Sequence, residues 1–307
     1  MKKIALFLAL VLLLAGCSDY QAASQQVTAM GTQMEWFVVG KDAEAASDAL
    51  KTLIEEMDEQ WSPRYINSIP SQLNDSGAVL EMEHIRFLDQ LEDIGRRAEG
   101  AYSPKMHSVI AAWGFVDGNH QVPTQEQIQS AMMDEKWNVA SAMKGFTARK
   151  AVALLETMQV ERAVLYLGST VQTFGWQKDG APWQIEIADP VSGEPVGQVA
   201  VNGSWTISTA GGYQCSFEKN GIWYHHLLDP RTGMPAESDL ASVTVISQDG
   251  VVADAMAAAL YVLGLEDAIE LWRESEDFEA VFILHDGSIQ VTAGVTFSGA
   301  EVTKLEK

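Results

Sequence analysis

The apolar residues of this chain change their period near residue 160, and that switch restricts the fold more than any other feature. Before it, Ala46, Leu50, Leu53, Ile54, Met57 and Trp61 recur at helical spacing, as do Ile85, Leu88, Leu91 and Ile94 ahead of a closing Gly100. Residues 124–136 begin on a capping Thr124, and residues 141–158 supply a fourth helical run with Lys144 in its first turns. In this half only residues 30–39 read as a strand, and the proline-containing piece 61–74 reads as a loop ending near a helix. After the switch the pattern alternates. Residues 163–167, 183–187, 198–201, 206–209, 223–228 and 242–246 read as strands, and 280–284 with 288–292 as a hairpin around Asp286-Gly287. Two helical runs, 253–263 and 266–274, interrupt that series. Helices gathered early and antiparallel-looking strands later define an α+β fold, one domain over residues 29–307, rather than a doubly wound sheet.

Ahead of that domain, Lys2 and Lys3 precede an apolar run over residues 4–14, and Leu14-Ala15-Gly16-Cys17 has the form of a lipobox. The run is too short to span a bilayer core, which takes roughly twenty helical residues. Residues 1–16 therefore read as a lipoprotein signal peptide, Cys17 as the acylated first residue of the mature chain, and polar residues 17–28 as a tether; an ordinary secretory peptide is the competing reading. Acylation would hold the domain at a membrane surface in the cell envelope, facing the periplasm or exterior. Cys215 is the remaining cysteine, so the mature chain has no internal disulfide and is held by its core, for which 47% apolar residues suffice. The net charge of −22 argues against nucleic acid and against anionic lipid as partners. It also requires that any phosphate-bearing ligand meet a local cation, either Lys/Arg or a divalent metal.

Three places carry candidate chemistry. The segment YHHLLDPRTGMP, residues 224–235, mounts His226 three residues before an Asp-Pro-Arg-Thr-Gly turn. Pro230 fixes φ, Gly233 permits φ > 0 and Asp229 can bond the turn backbone. A histidine there is a satisfied structural residue or a base, and His225 points to the opposite strand face. Asp254 falls in the first turn of the 253–263 helix, with Ala258 one turn further on the same face. An acid so placed either complements the helix dipole or offers oxygen to a hard cation such as Mg²⁺. Lys144, at a helix start, is a solvated side chain or a phosphate partner. The sequence has no Walker loop, GxGxxG, GxSxG elbow or HExxH.

Taken together, His226 with its 229–233 turn and Asp254 with its helix resemble the ApbE-like FAD:protein FMN transferases, and the likeness runs along nearly the whole mature chain. Met30-Gly31-Thr32 is similar to that family's opening Met-Gly-Thr, where the methionine packs on the flavin. Ser68 and Asn74 fit the spacing of its Ser-Glu-x-Ser-x-x-Asn segment. Gly100-Ala101-Tyr102-Ser103-Pro104 resembles Gly-Ala-Phe-Asp-Pro, and Trp113-Gly114-Phe115 the Trp-Gly-Phe that follows. Lys144-Gly145 closes a segment similar to Asp-Leu-Gly-Gly-Ile-Ala-Lys-Gly, with Asn138 for the acid and Ala140 and Ser141 for the glycines. Leu167-Gly168-Ser169-Thr170 stands for Ala-Gly-Gly-Asp, and Thr209-Ala210-Gly211 for Thr-Ser-Gly.

The resemblance implies a flavin dinucleotide contacted by Met30, Ala101, Tyr102, Ser103, Asn138, Lys144, Thr209 and Leu227. It implies Mg²⁺ held by Asp254, a backbone oxygen of Ser141, and Ala258 where relatives carry a hydroxyl. His226 would be the base as FMN moves from FAD to a Thr or Ser hydroxyl of an exported or membrane-bound electron-transfer protein, releasing AMP. The replacements at Ser103, Asn138, Ser169 and Thr170 cluster around the nucleotide. They leave two alternatives open: a flavin-binding lipoprotein without chemistry, and a Mg²⁺-dependent FAD pyrophosphatase.

Overall fold

The computed structural model describes residues 20–307; the expected signal peptide and Cys17 lie outside the described residues. The chain opens with a hairpin, β1 (Gln21–Ala29) and β2 (Thr32–Gly40). Its two-residue turn, Met30-Gly31, has φ of 50° and 75°, the conformation that matches the twist of paired strands. Six helices follow: α1 (Ala43–Trp61), α2 (Ile69–Asp75), α3 (Met82–Arg97), α4 (His107–Ala112), α5 (Gln125–Met132) and α6 (Met143–Glu156). The second half supplies β3 (Val160–Leu167), β4 (Thr170–Gly175), β5 (Trp183–Ala188), β6 (Pro195–Val201), β7 (Thr206–Ala210), β8 (Ser216–Lys219), β9 (Ile222–His225) and β10 (Leu240–Ser247). It ends with α7 (Gly250–Leu263), α8 (Leu265–Glu274), β11 (Glu279–Leu284), β12 (Ile289–Thr292), β13 (Phe297–Gly299) and β14 (Thr303–Leu305).

A nine-stranded sheet in the order β1-β2-β3-β4-β7-β10-β11-β12-β14 forms the middle layer. Every pairing in it is antiparallel except β12 with β14. Period-two alternation sends successive side chains to opposite faces. Ala163, Leu165 and Leu167 of β3 join Leu50 and Ile54 of α1 and Ala151 of α6 on one face. Val164, between them, joins Ile185 and Ile187 of the small sheet β13-β6-β5 on the other. Covered on both faces, β10 is buried along its whole length. The α+β expectation is met in three layers: helices, large sheet, small sheet. Among the described residues no helix is long and apolar enough to cross a membrane.

Several local expectations need correction. The segment read as a tether is, from Gln21 onward, the edge strand β1, paired with β2 along its length. Its polar composition hid it, because only Ala23, Val27 and Ala29 of its apolar side chains turn towards the core. Met30 is the hairpin turn, not the start of a strand. The strand expected over 223–228 stops at His225, because Leu228 instead bridges to Pro235 within the next turn. Helix α7 starts at Gly250, so Asp254 is not in the first turn, and the capping acid is Asp249, which accepts from Val251 N at 2.9 Å. The six-residue α4 and the strands β4 and β8 were not expected. β4 points Thr170, Gln172 and Thr173 inward, and buried polar residues carry no apolar period.

The crossing of α6 and α7 positions the site. A Cβ on Gly145 would stand 1.9 Å from the Gly250 carbonyl oxygen, and one on Gly250 would stand 2.2 Å from that of Gly145. The helices meet backbone to backbone, which brings Asp254 against the first turn of α6. Gly250→Ala should therefore lower stability by about 1–3 kcal/mol in urea denaturation, through overpacking. Helix propensity alone, which favours alanine over glycine by roughly 1 kcal/mol, predicts the opposite sign.

Candidate active site

One cavity of about 460 Å³ opens between the hairpin turn, the start of α6, one face of α7 from Asp254 onward, and the loops on either side of β8–β9. Met30, Ala101, Tyr102, Ser103, Asn138, Ser141, Lys144, Thr209, His226, Leu227, Asp254 and Ala258 all line it. Sequence positions as far apart as 30 and 258 converge here, and every site residue expected within the described residues is among them.

The histidine wall is built on the DPRTG turn. The Asp229 carboxylate accepts from the Arg231 backbone at 2.8 Å and from its guanidinium at 2.9 Å, while Gly233 N donates to Asp229 O at 2.7 Å. The buried Trp113 indole donates to Gly233 O at 2.8 Å, and a Cβ on Gly233 (φ 71°) would strike Ile128 of α5 at 2.6 Å. The turn is thus clamped onto α4 and α5. Next to it, the His226 backbone N–H donates to Cys215 O at 3.0 Å, and ring Nδ1 lies 3.1 Å from the same oxygen. A carbonyl only accepts, so Nδ1 carries the proton and Nε2 keeps its lone pair. Burial lowers the ring's pKa from its ordinary value to about 4, outweighing the Cys215 bond, which raises it. His226 is a neutral imidazole at pH 7. His225 turns away, edge-on to Tyr261 at 5.6 Å, as the strand alternation required.

The opposite wall is built around Asp254. Its Oδ2 accepts from Gly145 N at 2.9 Å; its Oδ1 accepts from Ser208 Oγ at 2.8 Å and Thr170 Oγ1 at 3.1 Å. Burial pushes this carboxyl upward against the lowering effects of Lys144 and the three hydrogen bonds. Lys144 makes no ion pair with it; its Nζ bonds Ser169 Oγ at 3.2 Å. A buried carboxylate with spare acceptor capacity on Oδ2 and no ion-pair partner at contact distance suits a hard cation. Among the described residues no three His, Cys, Asp or Glu side chains converge to make a closed site. One carboxylate supplemented by carbonyl, phosphate and water oxygens is the donor set Mg²⁺ accepts, and it does not suit zinc.

The floor between the walls is pinned by hydrogen bonds of the loops. Asn138 N donates to Pro104 O at 2.7 Å, and its side-chain oxygen accepts from Ala140 N at 3.1 Å. Ser141 Oγ donates to the buried Tyr102 hydroxyl at 3.3 Å, while Ser103 Oγ accepts from Lys105 N at 3.1 Å. Thr209 Oγ1 pairs with Thr244 Oγ1 at 2.8 Å, behind the cavity wall. Asn74 holds the backbone of Trp137 at both ends, through bonds of 2.6 and 2.9 Å, and Ser68 caps α2; both are supports rather than lining. Arg64, Ser208 and Cys215 also line the cavity and carried no sequence signal of their own. Arg64 sits in an aperiodic loop and Ser208 looks like an ordinary strand residue.

A model of the ApbE family matches residues 30–282, and the chain belongs to that family. Curated relatives named FAD:protein FMN transferase include those of Treponema pallidum, 25% identical over 83% of this chain and 81% of that protein, and Klebsiella pneumoniae, 26% identical over 89% and 92%. Among solved structures, the ApbE protein of Thermotoga maritima superimposes with a TM-score of 0.80 at 22% identity, covering 92% of this chain and 97% of that one. The flavin transferase ApbE from Vibrio cholerae gives 0.76 at 21%, covering 92% and 98%. These superpositions establish the common fold.

The hydrogen bonding of His226 yields a direct measurement. An NMR titration should find its ring in the Nδ1–H form at pH 7, with a protonation midpoint near 4 rather than 6.5. Because the unfolded ring takes up its proton first as pH falls, this residue's contribution to stability is complete above pH 6.5 and is lost between 6.5 and 4.

Proposed function

We propose that this chain is an FAD:protein FMN transferase. The observation that carries the reading is the convergence of His226, Lys144 and Asp254 on one cavity, with all the flavin-contact positions implied by the family resemblance. The relatives' shared name supports the substrate. The hydroxyl oxygen of a Thr or Ser on an acceptor protein attacks the FMN phosphorus of FAD, forming a phosphoester bond. The pyrophosphate P–O bond breaks, and AMP leaves with the bridging oxygen. A neutral hydroxyl is a poor nucleophile, and Nε2 of His226 takes its proton. Burial makes that ring a weak base in the free protein, and the negative charge of a bound dinucleotide counters this by favouring the protonated ring. Lys144 bonds phosphate oxygen, supplying one of the cations that a chain of net charge −22 needs. Asp254, with main-chain oxygens of Ser141 and Ala258, would hold Mg²⁺, which when bound offsets the charge on the phosphates. The side chains of Tyr102 and Met30 line the cavity beside them and shield the flavin from water.

The lipobox extends this reading to place. We propose that the chain is acylated on Cys17 and held at a membrane facing the periplasm or the exterior, where its acceptor is an exported or membrane-bound electron-transfer protein.

Incubating the protein with FAD, MgCl₂ and a threonine-bearing acceptor peptide should yield AMP and flavin-labelled peptide, read by chromatography and in-gel fluorescence. AMP with free FMN would make the chain a pyrophosphatase, and intact bound FAD would make it a carrier. His226→Ala should lower transfer by at least about 10²-fold while retaining FAD binding; undiminished transfer removes His226 from the mechanism. Asp254→Asn should abolish the magnesium dependence of FAD binding in calorimetry.

A further inference from the structure

The cavity contains a second cationic side chain that the reaction as described does not use. Arg64 lies in the loop between α1 and α2 and lines the cavity beside Gly31 of the hairpin turn, where a Cβ on that glycine would stand 3.6 Å from Arg64 Nη1. Its guanidinium is held from behind. Nε bonds Ser62 Oγ at 3.3 Å, and Nη2 makes a loose 3.5 Å contact with Oδ1 of Asp58, a buried carboxylate that also accepts from Tyr65 OH at 3.4 Å. Nη1 has no bonding partner among the described residues. A planar donor restrained through Nε and Nη2 and free at Nη1 is available to an anionic oxygen arriving from the cavity side. Lys144 is pinned comparably, by Ser169 Oγ, and its Nζ lies near Gly168, which itself packs on Thr32. The two cations therefore flank the same Met30-Gly31-Thr32 turn. They are the only Lys or Arg side chains lining this cavity among the described residues. In a chain with 42 acidic and 20 basic side chains, this pairing marks where a dianion is received.

We infer that Arg64 is a substrate-binding residue that donates through Nη1 to a phosphate oxygen of the dinucleotide, forming with Lys144 a two-cation cradle for the pyrophosphate. This rests on the FAD reading of the same cavity. Arg64 is exposed and its one ion pair is loose, but that pair is to the buried Asp58, so unchanged riboflavin affinity serves as the control that its replacement leaves the fold intact.

The test is binding of FAD and of riboflavin, which has no phosphate, to the wild-type chain and to Arg64→Gln and Arg64→Lys, by calorimetry with MgCl₂ at several salt concentrations. Arg64→Gln should weaken FAD binding about tenfold or more, as expected for one charge-assisted hydrogen bond. It should flatten the salt dependence of FAD affinity and leave the affinity for riboflavin unchanged. Arg64→Lys should recover part of the FAD affinity. Equal FAD affinity in wild type and Arg64→Gln overturns the inference and leaves the transferase reading standing. A parallel loss of riboflavin affinity overturns it too, since Arg64 would then act on the ring. Absence of FAD binding by the wild-type chain removes the transferase reading itself.

Discussion

The site depends on a contact that has no side chains in it. Gly145 on α6 and Gly250 on α7 meet through their backbones, and only at that separation can the Gly145 N–H reach the Asp254 carboxylate, 2.9 Å away. One hydrogen bond therefore joins two helices that begin more than a hundred residues apart, and it fixes the buried acid and Lys144 relative to each other. Ser208 and Thr170, from neighbouring strands of the large sheet, complete the shell around the carboxylate. Burying a carboxylate costs several kcal/mol unless it is well bonded. Three donors offset part of that cost, and Oδ2 keeps acceptor capacity that a hard cation would fill.

Across the cavity the same logic is applied to a neutral group. The Cys215 carbonyl bonds both the backbone N–H and the ring Nδ1 of His226. The ring is thereby fixed in orientation and tautomer together, and burial keeps it uncharged. A neutral imidazole thus shares the cavity with the Lys144 ammonium and the buried Asp254 carboxyl. Had the imidazole been charged in the free protein, its attraction for phosphate would have come with no capacity to take a proton.

Much of this was readable in the sequence, for physical reasons that also explain the omissions. The apolar periods of α1, α3 and α7 and the alternation of β3, β5 and β10 follow from burial on one face or both, so composition recorded them. His226, Asp254 and Lys144 stood out because rigid turn residues or a helix pattern surround them. β1 and β4 were invisible because their stabilising partners are backbone groups and buried hydroxyls. Thr170 and Ser208 look like routine strand residues until the fold sets them against Asp254. Arg64 lies in a loop with no period at all, where only three-dimensional proximity reveals a role. Helix α7 begins three residues ahead of the expected 253 because Asp249 caps it and glycine at 250 leaves room for the Gly145 backbone of α6.

The bond from the Trp113 indole to the Gly233 carbonyl spans 120 residues, and the bond that secures Asp254 to Gly145 spans 109. Both bonds join the helical first half of the chain to its second half, so neither wall of the cavity can be assembled from one half alone. A chain whose early helices have collapsed without the later sheet holds neither an oriented imidazole nor a seated acid, so competence for chemistry reports completion of the whole domain rather than of either half.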